Sequence, residues 1–360
     1  MNVFSDLHHS SLYFSLHLLL EKRLDFNLFR PVGMEWADEN YWLIHKPYNY
    51  SPDTAKQYLS LDQRYKPIDG TNPLNTIIDV KPTHFEIEDK AHNFIEKAIT
   101  LEQFKEMDID IIIASIPDHW LSFKKLRDKY KPKAKLIAHV GNFFPEIEKA
   151  IQDGLISNLL ASVSPFKTNR NINTCFYLQE FPLEVFYKGQ LHNNRNIYSF
   201  VNCFSDASDL FKEDWKLFQN LEKIMPNYNF RSYGSQCRDG WCNGIKSLSD
   251  KMREAMFIWN TKRGGDGFGY IIFNSASIGK PLIVRKSDYK NRIGEKLMRE
   301  YETCLIIDDK PLSKIKEDIE YYSVPQEYKR LCENVYSNFK NIVDYQKEEE
   351  KVKKFLENLI

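Results

Sequence analysis

The chain has 360 residues, more than one ordinary domain holds and comfortable for two of about 180 each. Fifty Lys and Arg balance fifty Asp and Glu, and 42% hydrophobic with 28% charged residues is the composition of a globular chain rather than a disordered one. Zero net charge argues against broad, sequence-independent nucleic-acid binding, and no run approaches the ~20 apolar residues of a membrane span.

The chain opens with a short strand at Met1–Phe4, a helix at Ser11–Leu20 and a strand at Leu24–Pro31, the start of a parallel α/β sheet. The helix is the most apolar early segment, but it lacks a basic front and a small-residue cleavage site. No secretory signal is therefore expected, and the chain is read as cytoplasmic. Asp6, His8, His9 and Ser10 fill the first strand–helix loop. Residues 34–75 break the rhythm with Trp36, Tyr41, Trp42, Tyr48, Tyr50, Tyr58 and Tyr65, and read as an irregular insertion whose rings pack on one another.

Alternation then returns. Strands are expected at Thr76–Asp79, His84–Ile87, Asp110–Ala114, Ala134–His139, Leu159–Ser162 and Cys175–Leu178, with helices at Leu121–Tyr130 and Phe144–Asp153. Asp108 and Asp110 have the spacing of a metal-binding pair, yet they lead straight into a buried strand and read as a strand entry. Seven basic residues between Lys124 and Lys135 face Asp128 alone, net +6, usually a solvated helix face but also able to hold a phosphate backbone. A linker rich in Gly, Asn and His follows at Tyr187–Asn196.

A second βα series begins there. It has strands at Ile197–Cys203, Asn229–Tyr233, Phe257–Trp259, Leu282–Val284 and Cys304–Ile307, and helices at Leu210–Met225 and Asp250–Met256, the latter with Ser249 as N-cap. Helices Pro311–Tyr322 and Pro325–Ile360 close the chain, the last with Glu/Lys pairs four apart. The expected organisation is thus a first βα domain over 1–190, a second over 196–340 and a C-terminal helix over 341–360. All nine His lie at or before His192, and all six Cys lie at or after Cys175. Cys237 and Cys242 frame a turn with no further ligands to complete a zinc site, so the cysteines read as reduced core thiols and no metal is expected.

Two successive βα domains make a cleft, and such sheets bind ligands outside the carboxyl ends of their strands. The strongest local signal in that context is Gly264-Gly265-Asp266-Gly267-Phe268-Gly269, which opens a helix at Tyr270–Ile278 and is followed by Gly279-Lys280-Pro281 and a strand. Its glycines let backbone approach a ligand closely, and the helix start suits an anion. Lys262 and Arg263 stand immediately before it, with Asp266 at the mouth of the loop and Asn274 eight residues on, on roughly the same helix face.

This run resembles the donor motif of GT-B fold glycosyltransferases, in particular the retaining group that includes glycogen synthases and mannosyltransferases. That group has Glu-Gly-Phe-Gly, then a helix with a second Glu eight positions on, then Gly-x-Pro and a strand. Asp266 and Asn274 replace the two glutamates. The resemblance implies two Rossmann-like βα domains facing a cleft, with a helical tail crossing back to the first. It implies sugar transfer from a nucleotide diphosphate-sugar such as a UDP-sugar to an acceptor hydroxyl, with retention and without a metal or other cofactor.

Under it, Asp266 holds the donor sugar and Asn274 the ribose. Lys262 or Arg263, together with Gly267, Phe268, Gly269 and the helix start, faces the diphosphate. Lys135-Leu-Ile-Ala-His139-Val-Gly141 resembles the family's strand-end His-Gly segment, placing His139 beside the reaction centre. Asp118 and His119, with His8, His9 and Ser10, are the acceptor-side candidates.

The chain is also similar in general to viral, phage-type glycosyltransferases, which would place it in a host cytoplasm. The acceptor stays open between a glycan, a small molecule and hydroxymethylated DNA. A catalytically silent nucleotide-sugar-binding module and a different nucleotide-binding enzyme of the same architecture are the other readings.

Overall fold

Strands form where β-branched and aromatic residues cluster in runs too short for a helix, as in Ile111-Ile112-Ile113-Ala114, every residue of which is fully buried. The computed structural model describes residues 1–6, 10–31, 84–99, 101–142, 146–163, 171–191, 194–205, 211–262 and 264–360. The aromatic insertion at 34–75, the strand expected at Thr76–Asp79, and His8, His9 and Arg263 lie outside the described residues. The chain divides into two units, Met1–Glu180 with Tyr345–Ile360, and Phe181–Asp344.

The first unit holds β1 (Asn2–Ser5), α1 (Ser10–His17, continued by a π-turn over Leu18–Arg23), β2 (Asn27–Pro31), β3 (Phe85–Asp89), β4 (Phe94–Ile99) and α2 (Leu101–Glu106). Then come β5 (Ile111–Ala114), α3 (Pro117–Tyr130), β6 (Lys135–Val140), α4 (Glu146–Gln152), β7 (Asn158–Ala161) and β8 (Asn173–Phe176). Among the described residues they form one sheet of order β3-β4-β2-β1-β5-β6-β7-β8, parallel except for β3. The direction of connection reverses between β1 and β5, and β1 pairs with both β2 and β5.

Sequence patterning missed β4, and the reason is physical. Its alternation is inverted: Ile95 is 38% exposed whereas Glu96 is buried. Glu96 faces inward because Arg30 on the parallel neighbour β2 reaches it at 2.7 Å, both side chains being fully buried.

The second unit holds β9 (Asn196–Ser199), α5 (Lys212–Ile224), β10 (Asn229–Ser232), α6 (Gly244–Glu254), β11 (Phe257–Asn260), α7 (Tyr270–Ser277) and β12 (Leu282–Val284). The 3-10 turns Lys286–Tyr289 and Ile293–Leu297 follow, then β13 (Cys304–Ile306), α8 (Leu312–Tyr322) and α9 (Pro325–Ile342). Its sheet is fully parallel in the order β10-β9-β11-β12-β13, so the switch point lies between β9 and β11. A core of Phe218, Trp259, Ile283, Leu305 and Leu331 fills one face.

Several helix boundaries differ from the sequence reading, and two of the differences bear on the packing. Ser249 lies inside α6 rather than capping it, and its hydroxyl donates to the Val185 carbonyl at 2.7 Å. The long terminal helix breaks at Val343, and α10 (Tyr345–Glu357) packs within the first unit. There Glu348 accepts the Leu178 N–H at 3.0 Å, and Lys351 donates to the Phe176 carbonyl at 2.8 Å. No described helix is long and apolar enough to cross a membrane.

Candidate functional site

Ligands of parallel sheets sit outside the strand carboxyl ends at the switch point. In the second unit that position belongs to the segment leaving β11, which is the glycine loop. Gly264, Gly265 and Gly269 all have positive φ, at 73°, 63° and 83°. The strictest demand falls on Gly265, where a Cβ would run into the Asp288 carbonyl. The turn Lys286–Tyr289 braces the loop from the other side: Gly264 N–H donates to Asp288 Oδ1 at 3.3 Å, and Arg292 Nη2 donates to the Gly264 carbonyl at 2.7 Å. Burial pushes the Asp288 carboxyl above its usual range.

Asp266 lies in this loop, before the helix begins at Tyr270, so the expectation that helical spacing aligns it with Asn274 does not hold. Its carboxylate is instead held by two side chains. Lys262 Nζ is ion-paired with one oxygen, and the Tyr289 hydroxyl donates to the other at 3.3 Å. Tyr289 in turn accepts a hydrogen bond from Asn260 Nδ2 at 2.9 Å.

Gly267 and Phe268 are buried, Phe268 stacking on Phe273 with ring centroids 4.3 Å apart, and Gly269 takes the left-handed conformation that starts α7. Asn274 is 4% exposed, and its Oδ1 has no hydrogen-bond partner among the described residues. A buried carbonyl left so is an acceptor awaiting a donor. Lys262, Asp266, Gly267, Phe268, Gly269 and Asn274 thus stand on one loop and one helix at a switch point. Tyr289 and Asn260, which the sequence reading did not single out, hold Asp266 in turn.

The first unit's switch point is built from side chains. Asp6 follows β1 directly and Ser115 follows β5. The Asp6 carboxylate accepts the Ser115 N–H at 2.7 Å, the Ser115 hydroxyl at 2.6 Å and His119 Nδ1 at 2.6 Å. Burial opposes ionisation, but the hydrogen bonds and charge of His119, with those from Ser115, outweigh it and keep the carboxyl below its usual range. His119 lies in the first turn of α3, and its ring stacks on Phe123 at 5.7 Å. Asp118 precedes it in the same turn, and Ser10 starts α1.

His139 lies within β6 and is fully buried, its Nε2 2.6 Å from the Tyr177 hydroxyl and its Nδ1 without a partner. Burial lowers its pKa to about 4, so it is neutral at physiological pH. Lys129, Lys131, Lys133 and Lys135 lie where α3 ends and β6 begins, with Lys135 paired to Ile111 at the start of β5. That is the sheet edge opposite Asp6, Ser115 and His119.

No protein-family model matches the sequence, and no curated protein matches it either. Solved structures match the fold over the whole chain. HepE (Alr3699) of Anabaena, solved with UDP-glucose, is 11% identical with a TM-score of 0.63, over 99% of this chain and 100% of that one. A glycosyltransferase of Rickettsia africae is 11% identical with a TM-score of 0.61, over 99% and 98%. TarM of S. aureus, in a complex holding UDP, is 10% identical with a TM-score of 0.60, over 99% of each chain. The chain therefore has the GT-B fold that these glycosyltransferases share.

Proposed function

We propose that this protein is a glycosyltransferase that moves a sugar from a nucleotide diphosphate-sugar to an acceptor hydroxyl, the second unit binding the donor. The observation that carries this reading is the glycine loop leaving β11 at the switch point, with Asp266 in it and the unpartnered Asn274 carbonyl just beyond. Two fold neighbours are glycosyltransferase-fold proteins solved with UDP or UDP-glucose, which supports a uridine nucleotide as the first donor to test.

In this reading the diphosphate meets the positive end of α7, whose first turn carries no acidic residue. Lys262, with Arg263 beside it in the sequence, neutralises the leaving group, so Lys262 exchanges its Asp266 partner for phosphate oxygen. Asp266 holds the donor sugar's hydroxyls, and Asn274 Oδ1 accepts from the ribose. The anomeric carbon exchanges its bond to the departing diphosphate oxygen for one to the acceptor oxygen, whose proton passes to the departing diphosphate. Retention and metal independence are proposed with the motif.

The acceptor belongs to the first unit, with His119 as its principal polar contact and Ser10, Asp118, His8 and His9, its neighbours in the same two segments of the sequence, as further candidates; His139, being fully buried, offers it no surface. A DNA acceptor is the weaker reading, because much of the basic run lies at the opposite edge of that sheet.

The test is a thermal-shift and calorimetric screen of the full chain against UDP, UDP-glucose, other sugar nucleotides and NAD, followed by assay of donor hydrolysis and transfer. Stabilisation by a sugar nucleotide and turnover of it are expected. If no nucleotide shifts the melting temperature, the reading fails; if one binds tightly and none is ever turned over, the protein is a silent binding module.

A further inference from the structure

Asp266 lies in a glycine loop outside any helix or strand, so no regular element sets the direction of its side chain. What fixes it is a hydrogen-bond relay from the strand below. Asn260 is the last residue of β11, 1% exposed, and Tyr289 ends the turn after β12, also 1% exposed. The polarity of the relay follows from chemistry alone. A carboxylate only accepts, so the single Tyr289 hydroxyl hydrogen goes to Asp266 Oδ2 at 3.3 Å. The Tyr289 oxygen must then accept, so Asn260 presents its Nδ2 at 2.9 Å and leaves Oδ1 buried without a partner. Burial, with Asp266 beside it, raises the Tyr289 pKa and keeps the phenol protonated, so the hydrogen is always available.

We propose that Tyr289 and Asn260 are positioning residues of the donor site, orienting the Asp266 carboxylate so that the protein distinguishes a sugar nucleotide from the bare nucleotide. This rests on the donor-site reading above. An unpositioned carboxylate loses orientation entropy on gripping a sugar hydroxyl, whereas one already held by Tyr289 does not. Lys262 alone cannot supply the constraint, since its ammonium is a freely rotating donor on a flexible stem, 41% exposed. The effect is expected to fall mainly on the sugar, because the diphosphate is assigned to Lys262, the start of α7 and the loop backbone and not to the Asp266 carboxylate.

The deciding experiment measures dissociation constants of the full chain for UDP and UDP-glucose by calorimetry, with thermal melts to confirm folding. Tyr289→Phe keeps the ring and deletes one hydroxyl. It is expected to weaken UDP-glucose about tenfold and UDP less than about twofold, as for loss of a hydrogen bond to a charged group. Asn260→Asp, of nearly identical shape, turns the donor into an acceptor that competes for the same phenolic hydrogen, and the same selective loss is expected. In an Asp266→Ala background, Tyr289→Phe should cost nothing further.

Equal losses for UDP and UDP-glucose, an undiminished loss in the Asp266→Ala background, or unchanged affinity in Tyr289→Phe each overturns the proposal while leaving the donor site in place. A wild-type chain that binds neither UDP nor UDP-glucose overturns the donor-site reading itself, and this inference with it.

Discussion

The two switch points place polar chemistry at equivalent positions of two parallel sheets and build it from different materials. In the first unit the site is made of side chains that satisfy one another: a buried carboxylate, Asp6, receives three hydrogen bonds from Ser115 and His119. In the second it rests more on backbone, with glycines in conformations that other residues rarely take and a helix start, and on the buried side-chain oxygens Asn260 Oδ1 and Asn274 Oδ1, which find no donor among the described residues. The first arrangement is costly to disturb because each member leaves another unsatisfied. Under the proposed function the second is the more sensitive for binding, because the ribose is what would complete Asn274 Oδ1.

That contrast predicts where damage shows. The largest effect is expected for Asp6→Ala, which strands His119 and the Ser115 N–H in a buried setting. Denaturant unfolding should register a loss of about 4 kcal/mol, with affinity for UDP-glucose held within about twofold. A large loss of donor affinity with little loss of stability would erase the distinction between the two sites.

The next effect is on pH dependence, and it separates the units. His139 has a folded-state pKa of about 4 against 6.5 when unfolded, so the unfolded chain takes up the proton first. Stability is therefore full above about pH 6.5 and is lost as pH falls toward about 4, by about 3 kcal/mol, and His139→Gln should flatten that limb. In the second unit Lys280 is 2% exposed, and burial lowers its pKa to about 8 from 10.5. The unfolded chain binds more protons between those values, so stability rises by about 3 kcal/mol from about pH 8 to 10.5, and Lys280→Met should abolish the rise. Urea unfolding across pH, followed by probes in each unit, checks both.

Smaller effects fall on binding alone. Gly265→Ala forces a Cβ against the Asp288 carbonyl and should weaken nucleotide-sugar binding about 100-fold, or ~2.7 kcal/mol. Gly264→Ala meets no neighbouring atom within 4 Å and pays only for its φ of 73°, so a loss of about fivefold is expected. Asn274→Ala should cost UDP about fivefold with little change in melting temperature, since its carbonyl has no partner among the described residues to lose. Isothermal titration of the three variants orders them; if Gly264→Ala matched Gly265→Ala, strain rather than the Asp288 clash would govern the loop.

Much of this was legible in the amino-acid sequence. Short β-branched runs and the glycine signature depend on neighbours a few residues apart, and local sterics decide them: Ile111–Ala114 is the buried strand its composition demands, and Gly269 starts α7 as the motif requires. Lys262 and Asp266 stand out by their places at the glycine loop, but their pairing with one another is seen only in the structure. Tertiary structure alone decided the rest. β4 escaped pattern reading because Glu96 turns inward to an arginine 66 residues away, which reverses the apparent alternation. Asp6 with His119, 113 residues apart, and Asp266 with Tyr289 across 23 meet only because strand order in a parallel sheet brings loop ends together. Composition and spacing determine which segments become strands, helices and glycine turns; which polar groups face one another is set by sheet topology, because a hydrogen bond depends on distance in space and not along the chain.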